Sequence, residues 1–426
     1  MMMSVRMTFV ISVTMLSAFH NTYSSDLLRD AEDAFKSSDY KKAEKLYTTV
    51  LQLPEIEQGD AKVKNRAQIN LGETLFARGK FKEGYSFFDA RLNNPDGKRK
   101  PLQKVWNGSC AQDSCSPLLV RGEHGIGDTF FFMRYMKQLH DAGIPVVVRE
   151  RGFLIPLLKR QPYIKQVIKS DDDEAKLTYT SDVYAMSLPR YVSNRGLQMQ
   201  QAAADIPYTT GYIEPRADLV AKWKTQFSDK QKLHVLIGAY RASANVAGEC
   251  RYLRRDCAIA DLIKKLARPN VVLYYPGGGD YKPVKRSEYE RLKAEGKLGT
   301  LKNFDDKLDI IEDADWDKLV LLGGDFDQSA GAFEDTAAVI CASDYVVSVD
   351  TSTAMLAGAL GVKHFGVLLS KESDWRWGEG QPTTTPFFAN ARLFWQKTQD
   401  DWSAPLDALG ETIAQASEAK ESSATE

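Results

Sequence analysis

The chain has 426 residues, and its 56 basic and 57 acidic side chains give a formal net charge of −1. Hydrophobic residues make up 43% of the sequence, as in ordinary globular proteins. A chain with balanced charge has no general electrostatic attraction to nucleic acids or anionic membranes, so neither is an expected partner. At roughly 150 residues per domain, the length predicts two or three domains.

The N-terminal segment, residues 1–25, is predicted to be a signal peptide. It carries Arg6 early, and residues 8–19 are then apolar and uncharged. This run is shorter than the roughly 20 residues that span a bilayer and has the length of a signal-peptide core. We therefore expect a mature chain without a membrane span, secreted, periplasmic or in the lumen of the secretory pathway. If Met7 or Met15 is the true start, the protein is cytoplasmic.

Cysteine placement favours the same compartment. Cys110 and Cys115 are close together in one polar segment, and Cys250 and Cys257 flank another. Two local pairs predict two disulfides and an oxidising compartment. Cys341 lies in an apolar helical stretch, where a thiol behaves as a small hydrophobic group. Five unpaired thiols and a four-cysteine zinc site are the alternatives, and zinc favours tighter spacing.

Residues 26–100 are predicted to form a short repeated helical region. The stretch D-Y-K-K-A-E-K-L-Y, from Asp39, aligns with G-K-F-K-E-G-Y-S-F-F, from Gly79. Small residues let two helices approach, and aromatic residues fill the groove between them. The pattern resembles tetratricopeptide repeats, which implies a protein partner on the helical surface. The alternative is helical packing without any ligand, since such repeats bind only through what their concave face presents.

From residue 118 onward, predicted strands alternate with predicted helices, which indicates an α/β fold with parallel sheets. The predicted strands are Leu118–Arg121, Ile144–Val148, Gln166–Ile168, Asp182–Met186, Leu233–Gly238, Val271–Tyr275, Tyr345–Val349 and His364–Leu369. The predicted helices are Thr129–Ala142, one around Trp223, Ala258–Leu266, Glu334–Ala342 and Ser352–Leu360. Two runs of alternation predict two Rossmann-like domains, at 118–230 and 231–395, with a cleft between them. Residues 396–426 are expected to form a helix that frays into a disordered tail.

The first candidate site is the glycine-rich loop G-E-H-G-I-G-D, Gly122 to Asp128. It is neither a dinucleotide fingerprint nor a P-loop, and no clear acidic residue ends the second strand as a ribose ligand. Gly125 and Gly127 allow the backbone to approach a ligand at the carboxyl end of a strand, where ligands of open α/β sheets bind. Asp128 and His124 could act as acid or base there. The alternative is that Asp128 only caps a helix.

The second candidate site follows a predicted buried strand. Asp350 ends the strand Tyr345–Val349, and Thr351, Ser352 and Thr353 then open a helix. Hydroxyl groups and unbonded N–H groups at a helix N-terminus favour an anion. An ordinary strand-to-helix turn with hydroxyl caps is the alternative.

These two segments carry a family resemblance. The run F-E-D-T-A-A-V-I-C-A-S-D-Y-V-V-S-V-D-T-S-T-A-M-L-A-G-A-L-G, followed by S-D-W-R-W-G and R-L-F-W-Q, resembles bacterial tetratricopeptide proteins with a glycosyltransferase-like domain. That family is related to the lipopolysaccharide heptosyltransferases and, more distantly, to the O-GlcNAc transferases. G-E-H-G-I-G-D-T-F-F-F-M-R-Y-M is similar to the family's first loop.

The resemblance implies a GT-B fold, with the acceptor side first and the nucleotide-sugar side second. It implies an inverting glycosyltransferase that uses no metal and no cofactor beyond a nucleotide-diphosphate sugar as co-substrate, with a glycan or protein as acceptor. Asp128 would be the general base, and Asp350, Thr351 and Ser352 would contact the donor diphosphate. Because one helix end supplies only about half a unit charge, we expect a basic residue from the segment with Arg241, Arg251, Arg254 and Arg255 to assist, with Arg241 first.

One position departs from the family pattern. Met355 stands where the family usually has a histidine that faces the donor phosphates, and methionine can neither carry charge nor donate a hydrogen bond. A binding-only descendant and a tetratricopeptide adaptor with a structural α/β part are therefore alternatives. A third hypothesis places Mg²⁺ or Mn²⁺ on aspartates, for which a solvated acidic loop is the favoured alternative. Those aspartates are Asp313, Asp315, Asp317, Asp325 and Asp327.

Overall fold

The computed structural model describes residues 25–57, 61–93, 100–109, 116–123, 125–150, 152–169, 171–238, 257–277, 283–300, 309–328 and 331–424. Its contacts divide these residues into two compact units. A helical unit holds the described residues up to Leu102, together with Gln201–Ala203 and Asp374–Gly380. An α/β unit holds Gln103–Gln200, Ala204–Ser373 and the described chain from Gln381 onward.

The helical unit begins with α1, residues 25–36. The remaining helices are α2 Tyr40–Leu51, α3 Pro54–Glu57, α4 Ala61–Ala77 and α5 Phe81–Phe88, before a 3-10 turn at Asp89–Asn93. The Asp39 carboxylate caps α2 by accepting the Lys42 N–H at 3.1 Å. A Cβ on Gly84 would lie 2.5 Å from the Phe76 ring. The small residue therefore admits the aromatic one, as the sequence pattern predicts. A partner for these helices stays a prediction.

The segment Asp374–Gly380 completes the aromatic core of the helical unit. The ring of Trp375 lies 4.9 Å from that of Phe76, which also contacts Tyr85 on α5 at 4.5 Å. Arg78 Nε donates to the Glu379 carboxylate at 3.3 Å. A short segment distant in sequence thus belongs to the helices by its packing.

The α/β unit contains a four-stranded parallel sheet in the order β3-β2-β1-β4. Its strands are β1 Leu118–Arg121, β2 Val146–Arg149, β3 Ile164–Ile168 and β4 Ser181–Tyr184. Its helices are α6 Ile126–Asp141, α7 Ile155–Lys159 and α8 Asp171–Ala175. The expected strand Asp182–Met186 ends earlier, because a 3-10 turn containing Pro189 begins at Ala185.

A second, six-stranded parallel sheet has the order β12-β11-β10-β5-β6-β9. Its strands are β5 Leu233–Gly238, β6 Val271–Tyr275, β9 Leu319–Leu321, β10 Tyr345–Val349, β11 Phe365–Leu369 and β12 Ala391–Trp395, with β7 Val284–Lys285 and β8 Ile310–Ile311 forming a separate parallel pair. The helices are α9 Ala217–Gln226, α10 Ile259–Leu266, α11 Arg286–Ala294, α12 Asp313–Trp316, α13 Glu334–Ala342, α14 Ser352–Leu360 and α15 Ser403–Ala424. The prediction of an α/β fold with parallel sheets is confirmed.

The C-terminal helix corrects one expectation. α15 is helical through Ala424, where fraying into a disordered tail was expected. The reason is burial, because Leu406, Leu409 and Ile413 pack in the same hydrophobic core as β5, β10 and α10. Those apolar residues recur at helical spacing, which the abundance of small and acidic residues in the segment obscures. Among the described residues, no helix is long and apolar enough to cross a membrane.

Candidate functional site

The strand order of the larger sheet locates a ligand crevice. Read from β9 to β12, the order along the chain is 3-2-1-4-5-6, so the connections reverse direction between β5 and β10. Ligands of such sheets bind outside the carboxyl ends of the strands at this switch point. The two strands end at Gly238 and Val349, and Asp350–Thr353 follow the latter. The second candidate site therefore lies where the topology favours a ligand.

The N-terminus of α14 is held close to the end of β5. A Cβ on Gly238 would lie 2.8 Å from the Thr353 Cγ2, so only glycine admits this approach. The Ser348 hydroxyl lies 3.0 Å from the Gly238 carbonyl and 3.1 Å from the Thr351 hydroxyl. Thr351 is the N-cap residue, and its side chain does not cap the helix. The first N–H groups of α14 thus lack the side-chain acceptor that a capping residue would supply.

The glycine-rich loop after β1 also leads into a helix N-terminus. α6 begins at Ile126, before the expected start at Thr129, so Asp128 lies inside its first turn. The Asp128 Oδ2 accepts the Gly125 N–H at 2.9 Å, and the Asp128 N–H donates to the Gly125 carbonyl at 3.2 Å. This is half of a capping box. The structural role weighed for Asp128 is therefore present in the molecule.

The two candidate sites meet. A Cβ on Gly127 would lie 3.4 Å from the Ser352 Cα and 3.3 Å from the Met355 Cγ, and Met355 is 4% exposed. The N-terminal turn of α6 thus packs directly on that of α14. Asp350, between the end of β10 and the N-cap Thr351, is buried at 4% exposure. The geometry brings together two segments that the sequence places more than one domain length apart.

Two carboxylates that the sequence analysis missed lie at the carboxyl edge of the smaller sheet. Glu150 comes directly after β2, which corrects the expectation that no acidic residue ends this strand. Its Oε2 accepts the Thr129 hydroxyl at 2.5 Å and would lie 2.2 Å from a Cβ on Gly122. Glu123 accepts the Met186 N–H at 3.1 Å, across the β1/β4 switch point. A carboxylate immediately after a buried strand was the sequence signal for Glu150, and Glu123 comes two residues after β1 ends.

A buried network of ion pairs holds the end of β1, directly before the loop Gly122–Asp128. Arg121, the last residue of β1, is 1% exposed and donates to Glu174 at 2.8 and 2.9 Å and to Asp182 at 2.8 and 3.2 Å. Burial alone would lower the pKa of the Arg121 guanidinium, but its hydrogen bonds to the two carboxylates raise that pKa above its ordinary value. Arg121 therefore stays charged and fixes the end of β1.

Asp313 and Asp327, two of the five aspartates of the metal hypothesis, accept hydrogen bonds within the structure. Asp327 accepts the Thr336 hydroxyl at 2.5 Å and its N–H at 3.1 Å, and burial raises the pKa of this carboxyl. Asp313 accepts the Ser287 N–H at 3.2 Å. Among the described residues, no three His, Cys, Asp or Glu side chains come together in a way that could hold a metal ion.

Several predicted residues lie outside the described part of the chain: residues 1–24, Cys110, Cys115, His124, Arg241, Cys250, Arg251, Arg254 and Arg255. Cys257 is described and is buried in the core beside α10. The two disulfides stay predictions. Cys341 lies near the end of α13, as expected, and burial raises the pKa of its thiol to about 11.

A shallow cavity of about 190 Å³ opens at the opposite end of α6 from the junction. It is lined by Lys137, His140, Asp141, Pro162, Tyr163, Gly211, Tyr212 and Glu214. Of the residues predicted for catalysis or donor binding, none of those that the structure describes contributes to it.

No protein-family model and no curated protein sequence matches this chain. Among solved structures, it is similar to the ADP-heptose lipopolysaccharide heptosyltransferase II of E. coli, with 15% identity and a TM-score of 0.45, covering 71% of this chain and 99% of that one. A family 9 glycosyl transferase of Veillonella parvula gives 10% identity and a TM-score of 0.43, covering 74% and 99%. An O-GlcNAc transferase mutant of Thermobaculum terrenum gives 14% and 0.31, covering 94% and 92%. All three TM-scores lie below 0.5.

Proposed function

We propose that the chain binds the diphosphate of a nucleotide sugar at the junction of α6 and α14 and transfers the sugar, with inversion and without a metal ion, to an acceptor hydroxyl. The observation that supports this is the convergence of the two helix N-termini, with Gly127 against Ser352. Each N-terminus carries about half a positive charge. The Asp128 carboxylate balances that of α6, so the N-terminus of α14, which has no acidic residue in its first turn, is the end that favours the donor anion.

The donor side of the proposed site is the switch point of the larger sheet. Thr351, Ser352 and Thr353 offer hydroxyl and N–H donors there, and the buried Asp350 precedes them. A diphosphate carries more negative charge than two helix ends balance. We assign the remaining positive charge to Arg241, which follows Gly238 by three residues in the sequence.

The acceptor side is the loop Gly122–Asp128 at the smaller sheet. In the proposed reaction the acceptor oxygen attacks the anomeric carbon, the bond from that carbon to the diphosphate oxygen breaks, and the nucleoside diphosphate leaves. The acceptor proton passes to Asp128, the general base. A carboxylate has about four lone-pair positions on its two oxygens, so Asp128 can accept this proton while it accepts the Gly125 N–H.

Met355 favours a second candidate, a nucleotide-sugar-binding protein without transferase activity. Its thioether side chain is buried at the junction, where a phosphate-binding side chain would need to donate a hydrogen bond. The third candidate, an adaptor that acts only through the helical unit, predicts no nucleotide binding at all. For localisation, we propose entry into a secretory lumen, because the predicted leader and the predicted disulfides both favour it.

Calorimetry of the chain from residue 26 onward against UDP, GDP, ADP and CDP, with a metal chelator present, tests this proposal. We expect one nucleotide to bind. Ser352→Glu places a negative charge at the first position of α14 and should weaken that binding at least tenfold. Ser403→Glu is the matched control, because Ser403 is the first residue of α15 and is exposed. Wild-type protein that binds none of the four contradicts the proposal, as does an unchanged affinity in Ser352→Glu.

A further inference from the structure

One short motif has no part in the proposed site. Asn107-Gly108-Ser109 is the sole N-x-[ST] sequence of the 426-residue chain in which x is not proline. In secreted proteins this tripeptide is the acceptor for N-linked glycans and lies on surface loops. Asn107 and Ser109 are both exposed, so the motif meets the first physical requirement, which is access for a modifying enzyme.

The tripeptide directly follows a segment of the α/β unit that several hydrogen bonds hold in place. The Asp182 carboxylate accepts the N–H groups of Gln103, at 3.0 Å, and Lys104, at 2.9 Å. The Trp106 N–H donates to the Asp182 carbonyl at 3.0 Å, and the Trp106 side chain is 3% exposed. The residues just before Asn107 are therefore fixed along β4, and the tripeptide projects from that anchor as a defined turn.

Within the turn, the hydroxyl residue contacts the asparagine. The Asn107 Oδ1 accepts the Ser109 N–H at 3.0 Å and the Ser109 hydroxyl at 2.7 Å. Gly108 has a φ of +87°, which glycine adopts without strain, and the Trp106 Nε1–H donates to the Ser109 carbonyl at 2.9 Å. This is an Asx turn closed by the Ser109 N–H, and the Ser109 hydroxyl adds a second hydrogen bond to the same oxygen.

In this turn both hydrogen bonds of the Asn107 side chain are made by its oxygen, Oδ1, and the nitrogen Nδ2 is the atom that would react. Among the residues that the structure describes, none accepts a hydrogen bond from the Asn107 Nδ2. An amide nitrogen is a weak nucleophile because its lone pair is delocalised onto the carbonyl oxygen. Two donors on Oδ1 draw electron density toward that oxygen and make the Nδ2 protons more acidic. The turn thus favours loss of a proton from the nitrogen that must react.

We propose that Asn107 is an N-glycosylation site that receives an oligosaccharide from a lipid-diphosphate-linked donor in a eukaryotic secretory lumen. A bond forms between Nδ2 and the anomeric carbon of the first sugar, the bond from that carbon to the diphosphate oxygen breaks, and the lipid diphosphate leaves. Nδ2 loses one proton, which passes to a base of the transferring enzyme. The proposal depends on the secretory localisation proposed above and is independent of the nucleotide-sugar site.

A competing reaction exists at the same residue. In an Asn-Gly sequence the Gly108 nitrogen can attack the Asn107 carboxamide carbon, release ammonia and leave aspartate or isoaspartate after hydrolysis. That reaction needs no enzyme and no secretory passage. Its product carries no glycan, so mass spectrometry separates the two reactions at this position.

The test uses the full 426-residue chain with its own leader, expressed in insect cells. We expect one glycan per chain, seen as a band shift that endoglycosidase treatment removes and as a glycopeptide that contains Asn107. Asn107→Gln and Ser109→Ala should each abolish the shift, and Ser109→Thr should retain it because the hydroxyl is kept. Asn390→Gln is the matched control, since Asn390 is exposed and lacks a hydroxyl residue two positions later.

Three results overturn the proposal. One is a chain that reaches the lumen or the medium with unmodified Asn107. Another is aspartate at position 107 without a glycan before any deglycosylation, which assigns the site to spontaneous deamidation. The third is a chain that stays in the cytosol with its leader uncleaved, shown by protease accessibility and by the mass of its N-terminal peptide. Nucleotide binding by the purified chain is unaffected by all three, so the two proposals fail separately.

Discussion

Gly127 on α6 and Met355 on α14 lie in contact, and a Cβ on Gly127 would be 3.3 Å from the Met355 Cγ. The contact joins the helix that follows the first strand of one sheet to the helix that follows β10 of the other. Gly127 has no positive φ, so its backbone conformation does not require glycine. The requirement is space, because a larger residue would separate the two helix N-termini that form the proposed anion site.

Gly127→Val should therefore destabilise the fold and weaken nucleotide binding together. Overpacking of this kind costs roughly 1–3 kcal/mol, measured as a loss of unfolding free energy in urea. Met355→Ala in the same chain should restore part of both quantities, because it removes the atom nearest to the added side chain. Gly299→Val is the control, since a Cβ there meets nothing within 4 Å. A double variant no better than Gly127→Val would show that the contact does not set the junction.

Arg121→Met should destabilise the α/β unit strongly. It leaves Glu174 and Asp182 buried without their cation, and breaking a buried ion pair from one side costs about 3–5 kcal/mol. Arg291→Met is the matched control, because Arg291 also pairs with two carboxylates, Glu288 and Glu295, but is 54% exposed. That change should leave the urea midpoint close to the wild-type value, because solvent screens exposed ion pairs and they contribute little to stability. Equal losses in urea unfolding would contradict the assigned role.

The sequence predicts the buried central elements of the fold well. Strands such as Leu233–Gly238 and Tyr345–Val349 and the helix Ser352–Leu360 have the predicted bounds, because continuous apolar runs and small-residue spacing identify buried elements. By contrast, no strand is predicted at β12, Ala391–Trp395, although its burial pattern is that of a strand. Edge strands give a weaker apolar pattern than central ones.

The two candidate segments were predicted residue by residue, and their meeting was predicted only in outline, as a cleft between two Rossmann-like domains. Asp128 and Asp350–Thr353 were each found from a strand end followed by a helix start, which is a local pattern. That Gly127 touches Met355 depends on how two sheets pack, and no local pattern encodes it. Glu150 was missed because β2 ends one residue later than predicted, which moves the carboxylate to the strand end. An error of one residue in the predicted end of β2 therefore separates Glu150 from the strand end.

His234 should make the stability of the chain depend on pH. Burial lowers the pKa of this imidazole below its ordinary value of 6.5, outweighing the backbone carbonyl of Asp229 and the nearby Asp344 carboxylate. Its Nε2 lies 2.9 Å from the Asp229 carbonyl, which can only accept. Its Nδ1 lies 2.9 Å from the Tyr274 hydroxyl, whose pKa burial raises to about 12, so that hydroxyl donates to a neutral ring.

The unfolded chain therefore binds a proton at His234 more readily than the folded chain does. This contribution to stability is complete above pH 6.5 and is lost as the pH falls toward the lowered pKa. The slope is at most about 1.4 kcal/mol per pH unit for one group. Urea unfolding between pH 5 and 7.5, a range set around the ordinary histidine pKa, should show it. His234→Gln should flatten the curve, and His364, whose pKa is also lowered, should leave a smaller slope. An identical slope in the variant contradicts the assignment.

Asp128 carries the last prediction, because its structural and chemical roles can be separated by two substitutions. Asp128→Asn keeps an oxygen that accepts the Gly125 N–H but cannot take a proton from an acceptor hydroxyl. Asp128→Ala removes both functions. Loss of the hydrogen bond from the Gly125 N–H should cost Asp128→Ala about 0.5–1.5 kcal/mol of stability, while Asp128→Asn should unfold at nearly the wild-type urea concentration.

The rates should divide the variants differently. Losing a general base lowers a rate by typically 10²–10⁴-fold, so both variants should lose turnover to that extent with nucleotide affinity retained in Asp128→Asn. Single-turnover release of nucleoside diphosphate measures this, with sugar donors of the nucleotide that calorimetry identifies and with hexose or amino-sugar acceptors. Wild-type turnover in Asp128→Asn would reduce Asp128 to a helix cap. A wild-type chain that binds a donor tightly and never releases its diphosphate would assign the protein to the binding-only class, with Met355 as the physical reason.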